Sequence, residues 1–343
     1  MRVFVTGTNG YIGSRLVEYL FAAGHDVVGL DAGYYRDGWL YSDRGMARTP
    51  VTINKDLRDI TLADLQGCDA VAHLAELSND PLGQNNPGLT HQINHQGSVN
   101  IAELARKAKI RRFIYMSSCS VYGAGTGDFL DETAATNPQT AYAECKVLVE
   151  RDVGKMADSD FAPVFLRNAT AYGPSPRMRF DIVINDLCAL AWTKKRIVMT
   201  SDGSPWRPVV HLEDICGAIV SCLAAPEDTI RGQIFNVGQN SDNYRVRELA
   251  QIVAETFPGC VVETGSKSGD TRSYRVNFDK IHRELPGFKC RFNARDGAEQ
   301  LRAIFERIEM SPETYAFRAF TRLKQLKYLQ ETHQVDEQLY WTR

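Results

Sequence analysis

The 343-residue chain has no Cys-x-x-Cys pair. Its eight cysteines stand singly, so neither a zinc knuckle nor a disulfide framework is supported, and reduced, mostly buried thiols are expected. No apolar run reaches the roughly 18 residues of a membrane span, and Met1 leads into a strand-like segment without a basic and then apolar leader. A cytoplasmic protein is expected. An excess of one charge is also missing: Lys+Arg 40 against Asp+Glu 42 leaves a net charge of -2, too little for a broad field that attracts nucleic acid or an anionic membrane. An anionic ligand therefore needs a local pocket. Internal repeats, low-complexity tracts and charge blocks are absent as well. What remains is ordinary for a globular protein, 43% hydrophobic and 24% charged, and long enough for two substantial cores.

The first half alternates between strand and helix patterns. Arg2 to Thr6 reads as a strand, Tyr11 to Ala23 as an amphipathic helix ended by Gly24, and Asp26 to Asp31 as a second strand. Ala70 to Leu74, Arg112 to Met116 and Ala162 to Arg167 read as further strands, with helices over about Leu89 to Ala108 and Tyr142 to Met156. Such alternation predicts an α/β fold, a Rossmann-type doubly wound parallel sheet. Beyond Gly173 the turn-rich Gly-Pro-Ser-Pro-Arg-Met-Arg-Phe predicts a change of domain: residues 1–173 bind the cofactor, and 174–343 form a smaller mixed α/β substrate domain. Segments within 207–238 are expected to return to the first sheet. In the tail, Phe317, Phe320, Leu323, Leu326 and Leu329 recur at helical spacing, which predicts a packing face or a helix pair in a homodimer.

Three constellations carry chemistry. Gly7, Gly10 and Gly13 follow a strand and open a helix, where a bare backbone can approach a pyrophosphate and the helix N-terminus favours its charge. Asp31 ends the second strand, eighteen residues after Gly13, where a carboxylate accepts from adenosine ribose hydroxyls and repels a 2′-phosphate. NAD is therefore expected rather than NADP. Tyr142 and Lys146, four apart, project from one helix face, so an ammonium can favour the phenolate of a base whose usual pKa is about 10. Ser117-Ser-Cys-Ser-Val-Tyr-Gly123 places hydroxyls beyond the carboxyl end of a strand, where ligands of doubly wound sheets bind.

With these stand Asp56-Leu-Arg-Asp59, His73-Leu-Ala75, Asn94-His-Gln-Gly97, Tyr172-Gly-Pro174 and Arg207-x-x-x-His-x-x-Asp214, in order over the first two-thirds of the chain. In these motifs the chain resembles the extended short-chain dehydrogenases/reductases of the nucleotide-sugar epimerase/dehydratase branch. The resemblance implies Ser118, Tyr142 and Lys146 as catalytic residues, with Tyr142 as acid/base and Lys146 on the nicotinamide ribose. It implies cofactor contacts from the glycines with Asn9, Tyr11 and Ile12, and from Asp31, Asp56, Leu57, Leu74, Ala75, Glu76, Asn94 and Ser117. Ser78, Ser118, Cys119, Asn168, Thr170, Arg177, Arg179, Asn185, Arg207 and Arg272 are the candidate contacts to a nucleotide-diphosphate sugar, the two last as diphosphate ligands. No metal site is implied.

Departures from the family pattern bear on the reaction. Ser118 is followed by Cys119 and Ser120 where sugar 4,6-dehydratases carry an Asp-Glu pair, which disfavours simple dehydration. Glu76 replaces a small residue, as a second base facing the sugar or as a solvent-facing side chain. Oxidation at carbon 4 of the sugar is expected, most simply as an epimerase. A nucleotide-sugar dehydrogenase or reductase, an atypical dehydratase and a non-catalytic NAD-binding regulator are the alternatives.

Overall fold

A computed structural model describes residues 1–42, 48–78, 80–125, 128–199, 201–265 and 273–342. Seven strands form one parallel sheet: β1 (Arg2–Thr6), β2 (Asp26–Asp31), β3 (Val51–Asn54), β4 (Ala70–His73), β5 (Arg112–Ser118), β6 (Ala162–Asn168) and β7 (Gln233–Val237). Their order is β7-β6-β5-β4-β1-β2-β3. The central strands are apolar on both faces because helices cover both: Val3, Phe4 and Val5 are fully buried, as are Ala70, Val71 and Ala72. Chain direction across the sheet reverses between β1 and β4, which opens a crevice at their carboxyl ends.

Helix α1 (Tyr11–Ala22) starts directly on the glycine turn and ends before Gly24, whose φ of +78° reverses the chain. The helix expected over 89–108 is three consecutive pieces: Pro87–Thr90, a π-helical turn at His91–Gln96, and α2 (Gly97–Lys107). Helix α3 (Ala141–Gly154) carries Tyr142 and Lys146 and is capped by Thr140, whose hydroxyl accepts from the Ala143 amide at 3.2 Å. Strand β5 runs two residues further than its apolar run suggested. Ser117 and Ser118 are still paired there, Ser118 opposite Asn168 on β6.

Of the segments expected to return to the sheet, Gln233–Val237 does so as β7, beside β6. Trp206–His211 does not: it pairs in parallel with Thr170–Tyr172 and antiparallel with Asn243–Arg245 in a separate three-stranded sheet. A second core gathers there around Phe180 and Phe305, whose rings meet edge to face at 6.1 Å, together with Leu187 of α4 (Val183–Lys194).

The tail does not form one amphipathic helix. Extended residues at Phe317 (φ -61°, ψ 127°) and Thr321 (φ -123°, ψ 113°) divide it, and Phe317 is 38% exposed. Only the part on α5 (Arg322–Glu331) keeps its register, with Leu326 and Leu329 buried against Leu77, Leu82, Leu89 and Ile93. That part of the apolar face is therefore used within the chain. The final residues lean on the end of β2: the Trp341 indole donates to the Ala32 carbonyl at 2.6 Å and stacks on Tyr34.

Candidate active site

The crevice at the switch point is a cavity of about 450 Å³ between the glycine turn, the ends of β4 and β5, α3 and the segment after Gly173. Its floor is the turn itself. Gly7 has φ of +74° and a Cβ there would come within 3.1 Å of the Ala75 amide; a Cβ on Gly13 would meet the Gly7 carbonyl at 2.0 Å. Gly7 thus needs glycine for its backbone and Gly13 for contact of helix with turn. Gly10, Tyr11 and Ile12 line the cavity at the start of α1; the Gly10 amide closes the turn on the Gly7 carbonyl at 3.0 Å, and those of Tyr11 and Ile12 are suited to an anion. Asn9 does not line it: its amide donates instead to Asp31 Oδ2 at 2.9 Å. Asp31 also accepts from Gly33 N at 2.7 Å, and burial holds its pKa above the usual carboxylate value. The carboxylate ties the end of β2 to the glycine turn while its side chain borders the cavity.

Asp56 and Leu57 reach the same wall. Burial opposes ionisation of Asp56, yet Arg58, at 2.8 Å through both Nε and its terminal nitrogen, holds the carboxyl below its ordinary pKa. Leu74 and Ala75 enter the cavity because their amides both donate to Thr6 Oγ1 at 3.0 Å, which bends the chain off β4. Asn94, from the π-helical turn, makes paired bonds to the backbone of Leu77 (2.8 and 3.0 Å) and does not border the cavity. It is a strut for the loop after β4, not a cofactor contact.

Tyr142, Lys146 and Ser118 converge. The Lys146 ammonium lies 5.3 Å from the centre of the Tyr142 ring, and Ser118 borders the same cavity, near enough to lower the phenol's pKa slightly. Burial raises the Tyr142 pKa, Lys146 pulls it down and Glu76 pushes it up again. Glu76 does not point into solvent, as one sequence reading had it; it borders the cavity with its carboxylate held by the protein. Its side chain is 3% exposed, its Oε2 is 2.5 Å from Lys146 Nζ, and its Oε1 accepts from the Tyr115 hydroxyl at 2.6 Å. Lys146 also donates to the Met116 carbonyl. The pair is a buried, internally neutral unit, because an uncompensated ammonium at that depth is costly. Behind it, His73 bridges Thr6 (2.6 Å) and Ser98 (2.8 Å), and burial takes its pKa down to about 3, so it is a neutral strut.

Several candidate contacts move out of the site. The Ser117 hydroxyl turns away to Glu150, itself paired with Arg167 at 2.7 Å, so only the rest of Ser117 borders the cavity. Cys119 is 1% exposed and its thiol donates to the Arg167 carbonyl, behind the wall. Asn185 is fully buried and bonds the Gly173 amide (3.0 Å), the Tyr11 hydroxyl and the Arg179 carbonyl. Arg177 holds the carbonyls of Tyr35 and Arg36 and packs on Trp39, away from the cavity. Arg272 falls outside the described residues. Ser78, Asn168, Thr170, Arg179 and Arg207 do line the cavity, and the Asn168 Oδ1 is buried without a hydrogen-bond partner among the described residues. Sequence reasoning missed Asp80, Asp181, Tyr274 and above all Arg322, which reaches the cavity from α5. Nothing local to residue 322 signals this; the stripe of leucines around it was the only clue that the helix packs inward.

A family model described as "NAD dependent epimerase/dehydratase family" matches residues 3–238, more than half of the chain. The chain belongs to this family. It is 33% identical over 271 residues to a UDP-glucose 4-epimerase of Mycolicibacterium smegmatis, covering 74% of this chain and 82% of that protein. It is 27% identical to a UDP-N-acetyl-alpha-D-glucosaminuronate decarboxylase of Bacillus cytotoxicus, covering 73% and 78%. Among solved structures, MoeE5 in complex with UDP-glucose and NAD is 26% identical, with a TM-score of 0.77 over 90% of this chain and 100% of that one. NAD is accordingly the cofactor of the family, and the glycine turn, with no side chain able to fill it, fits a dinucleotide.

Proposed function

We propose that this NAD-dependent enzyme oxidises the carbon-4 hydroxyl of a nucleotide-diphosphate sugar and, after the sugar turns over, reduces the ketone from its other face, as an epimerase. The observation that carries the reading is the convergence of Tyr142, Lys146 and Ser118 on the cavity beside the glycine turn. Tyr142 takes the hydroxyl proton as its phenolate and returns it in the reverse half. Ser118 orients the reacting oxygen, and Lys146 favours the phenolate and holds the ribose next to the reactive ring. Gly7, Gly10 and the amides opening α1 receive the pyrophosphate, and Asp31 the adenosine ribose. When bound, NAD supplies the hydride acceptor and, in the return step, the donor. Arg207, Thr170 and the open Oδ1 of Asn168 hold the substrate's diphosphate and sugar, so that binding energy far from carbon 4 positions it.

Dehydration finds less support. Cys119 is turned into the core and Glu76 is bound to Lys146, which leaves neither as the acid/base pair an elimination needs. Incubation with UDP-, GDP-, CDP- and dTDP-sugars, read by mass and NMR, tests the reading: inverted stereochemistry at unchanged mass supports it, while loss of two hydrogens or of water overturns it in favour of a dehydrogenase or a dehydratase. Asp31 predicts tighter binding of NAD than of NADP, measured by titration. We also propose a cytoplasmic homodimer. All eight cysteines are free thiols, as a reducing compartment allows, and among the described residues no helix is long and apolar enough to cross a membrane. Light scattering would read the assembly.

A further inference from the structure

Two arginines that border the same cavity as the glycine turn are built for a ligand that the chain does not itself contain. Arg322 is 3% exposed, yet among the described residues its guanidinium makes no hydrogen bond and no ion pair, only a longer-range attraction to Asp181 and Asp31; it lies 4.0 Å from the centre of the Tyr35 ring and borders the cavity. Arg179 is 7% exposed and gives Nε to Asp181 at 2.8 Å and one terminal nitrogen weakly to Ser78, while its other terminal nitrogen is buried without a partner. Buried guanidinium donors are almost always satisfied, because leaving one unmade costs the full desolvation of a charged group. Arg179 has such an unmade donor, and the two cations feel one another: burial together with Arg179 takes the Arg322 pKa down to about 10 against the pull of Asp181 and Asp31. An oxyanion placed between them would relieve both.

Position decides which anion. Arg322 acts electrostatically on Asp31, at the adenosine end of the crevice, and Arg179 on Tyr142, at the nicotinamide end. Both act on Tyr35 and on Tyr11, the first residue of α1. The group of an extended dinucleotide that lies midway between its two riboses, over the start of α1, is the pyrophosphate. We propose that Arg179 and Arg322 form a clasp that grips the cofactor pyrophosphate from the side opposite the glycine turn, with Arg322 brought there by the docked C-terminal helix. The dinucleotide is then held between two walls and stays in place through both halves of a reaction that must return the hydride it removed. The inference rests on a dinucleotide occupying the crevice and not on which sugar product forms.

Full-length protein freed of nucleotide is titrated with NAD, with ADP-ribose, which keeps the pyrophosphate but lacks nicotinamide, and with UDP. R322Q is expected to weaken NAD and ADP-ribose about 10- to 100-fold, the worth of a charged hydrogen bond or two, with R322K recovering part and UDP affinity unchanged. Weakened UDP with unchanged ADP-ribose assigns the arginines to the substrate diphosphate and overturns the clasp, as does no change in any ligand. A measurement on the wild type needs no variant: hydrogen exchange across 322–331 slows with ADP-ribose and not with UDP, and equal exchange in all three states sinks the proposal. Absence of any NAD binding by the wild type would instead remove the dinucleotide reading itself.

Discussion

Lys146 and Arg322 are both cations some 95% or more buried on the same cavity, and they are solved in opposite ways. Lys146 has its charge matched by Glu76 at 2.5 Å and a further bond to a backbone carbonyl. Arg322 has an aromatic face and, among the described residues, no ion pair, only the longer-range pull of Asp181 and Asp31. A buried charge whose donors are consumed by the protein is finished at folding and serves by its fixed position. One whose donors remain open is unfinished until a ligand arrives, and the chain carries its desolvation in the meantime. The contrast separates positioning from binding among residues that look alike in sequence.

The largest effect should come from the residue that the first cation positions. Tyr142→Phe is expected to lower turnover about 10³-fold, the scale of a lost acid/base group, while leaving NAD affinity within about twofold. Turnover equal to wild type would detach the phenol from the chemistry. Glu76→Ala strands the Lys146 ammonium and should cost about 3–5 kcal/mol of stability in denaturant unfolding, whereas R322Q, which removes an unmatched cation, should leave the nucleotide-free protein as stable as before or more so. Equal losses from the two would erase the comparison. Leu329→Ala, at a position 1% exposed under the C-terminal helix, should cost about 2–5 kcal/mol and release that helix from the loop after β4.

The smallest effect is a shift in pH dependence. Burial raises the Tyr142 pKa, Lys146 lowers it and Glu76 raises it, so deprotonation of Tyr142 gives a limb on which activity climbs as pH rises. Glu76→Gln removes the anion's contribution and leaves that of Lys146, so the limb should move to lower pH. A limb that stays in place, or moves up, would show that Glu76 does not act on the phenol.

Much of this was legible before any coordinates. The βαβ rhythm, the glycine turn and the i, i+4 spacing of Tyr142 and Lys146 are local patterns, and β1, α1, β2 and α3 appear within a residue or two of where periodicity put them. Legibility failed where a side chain's meaning depends on what packs against it. Cys119 sits inside a motif segment and Asn185 was a candidate substrate contact, yet both point behind the wall, because β5 continues as a paired strand and the segment after Gly173 folds back on Tyr11. The tail read as one stripe because spacing alone does not register the extended residues at Phe317 and Thr321.

Local sequence therefore decided what the parts are: strands buried on both faces, a helix that begins on bare glycine, a phenol and an ammonium one turn apart. Tertiary structure decided who meets whom. Residues 76 and 146 come from different elements, and 322 is more than three hundred positions from the glycine turn whose cavity it shares. No periodicity links such distant positions; they meet because α3 and α5 bury their apolar faces against elements that border the cavity.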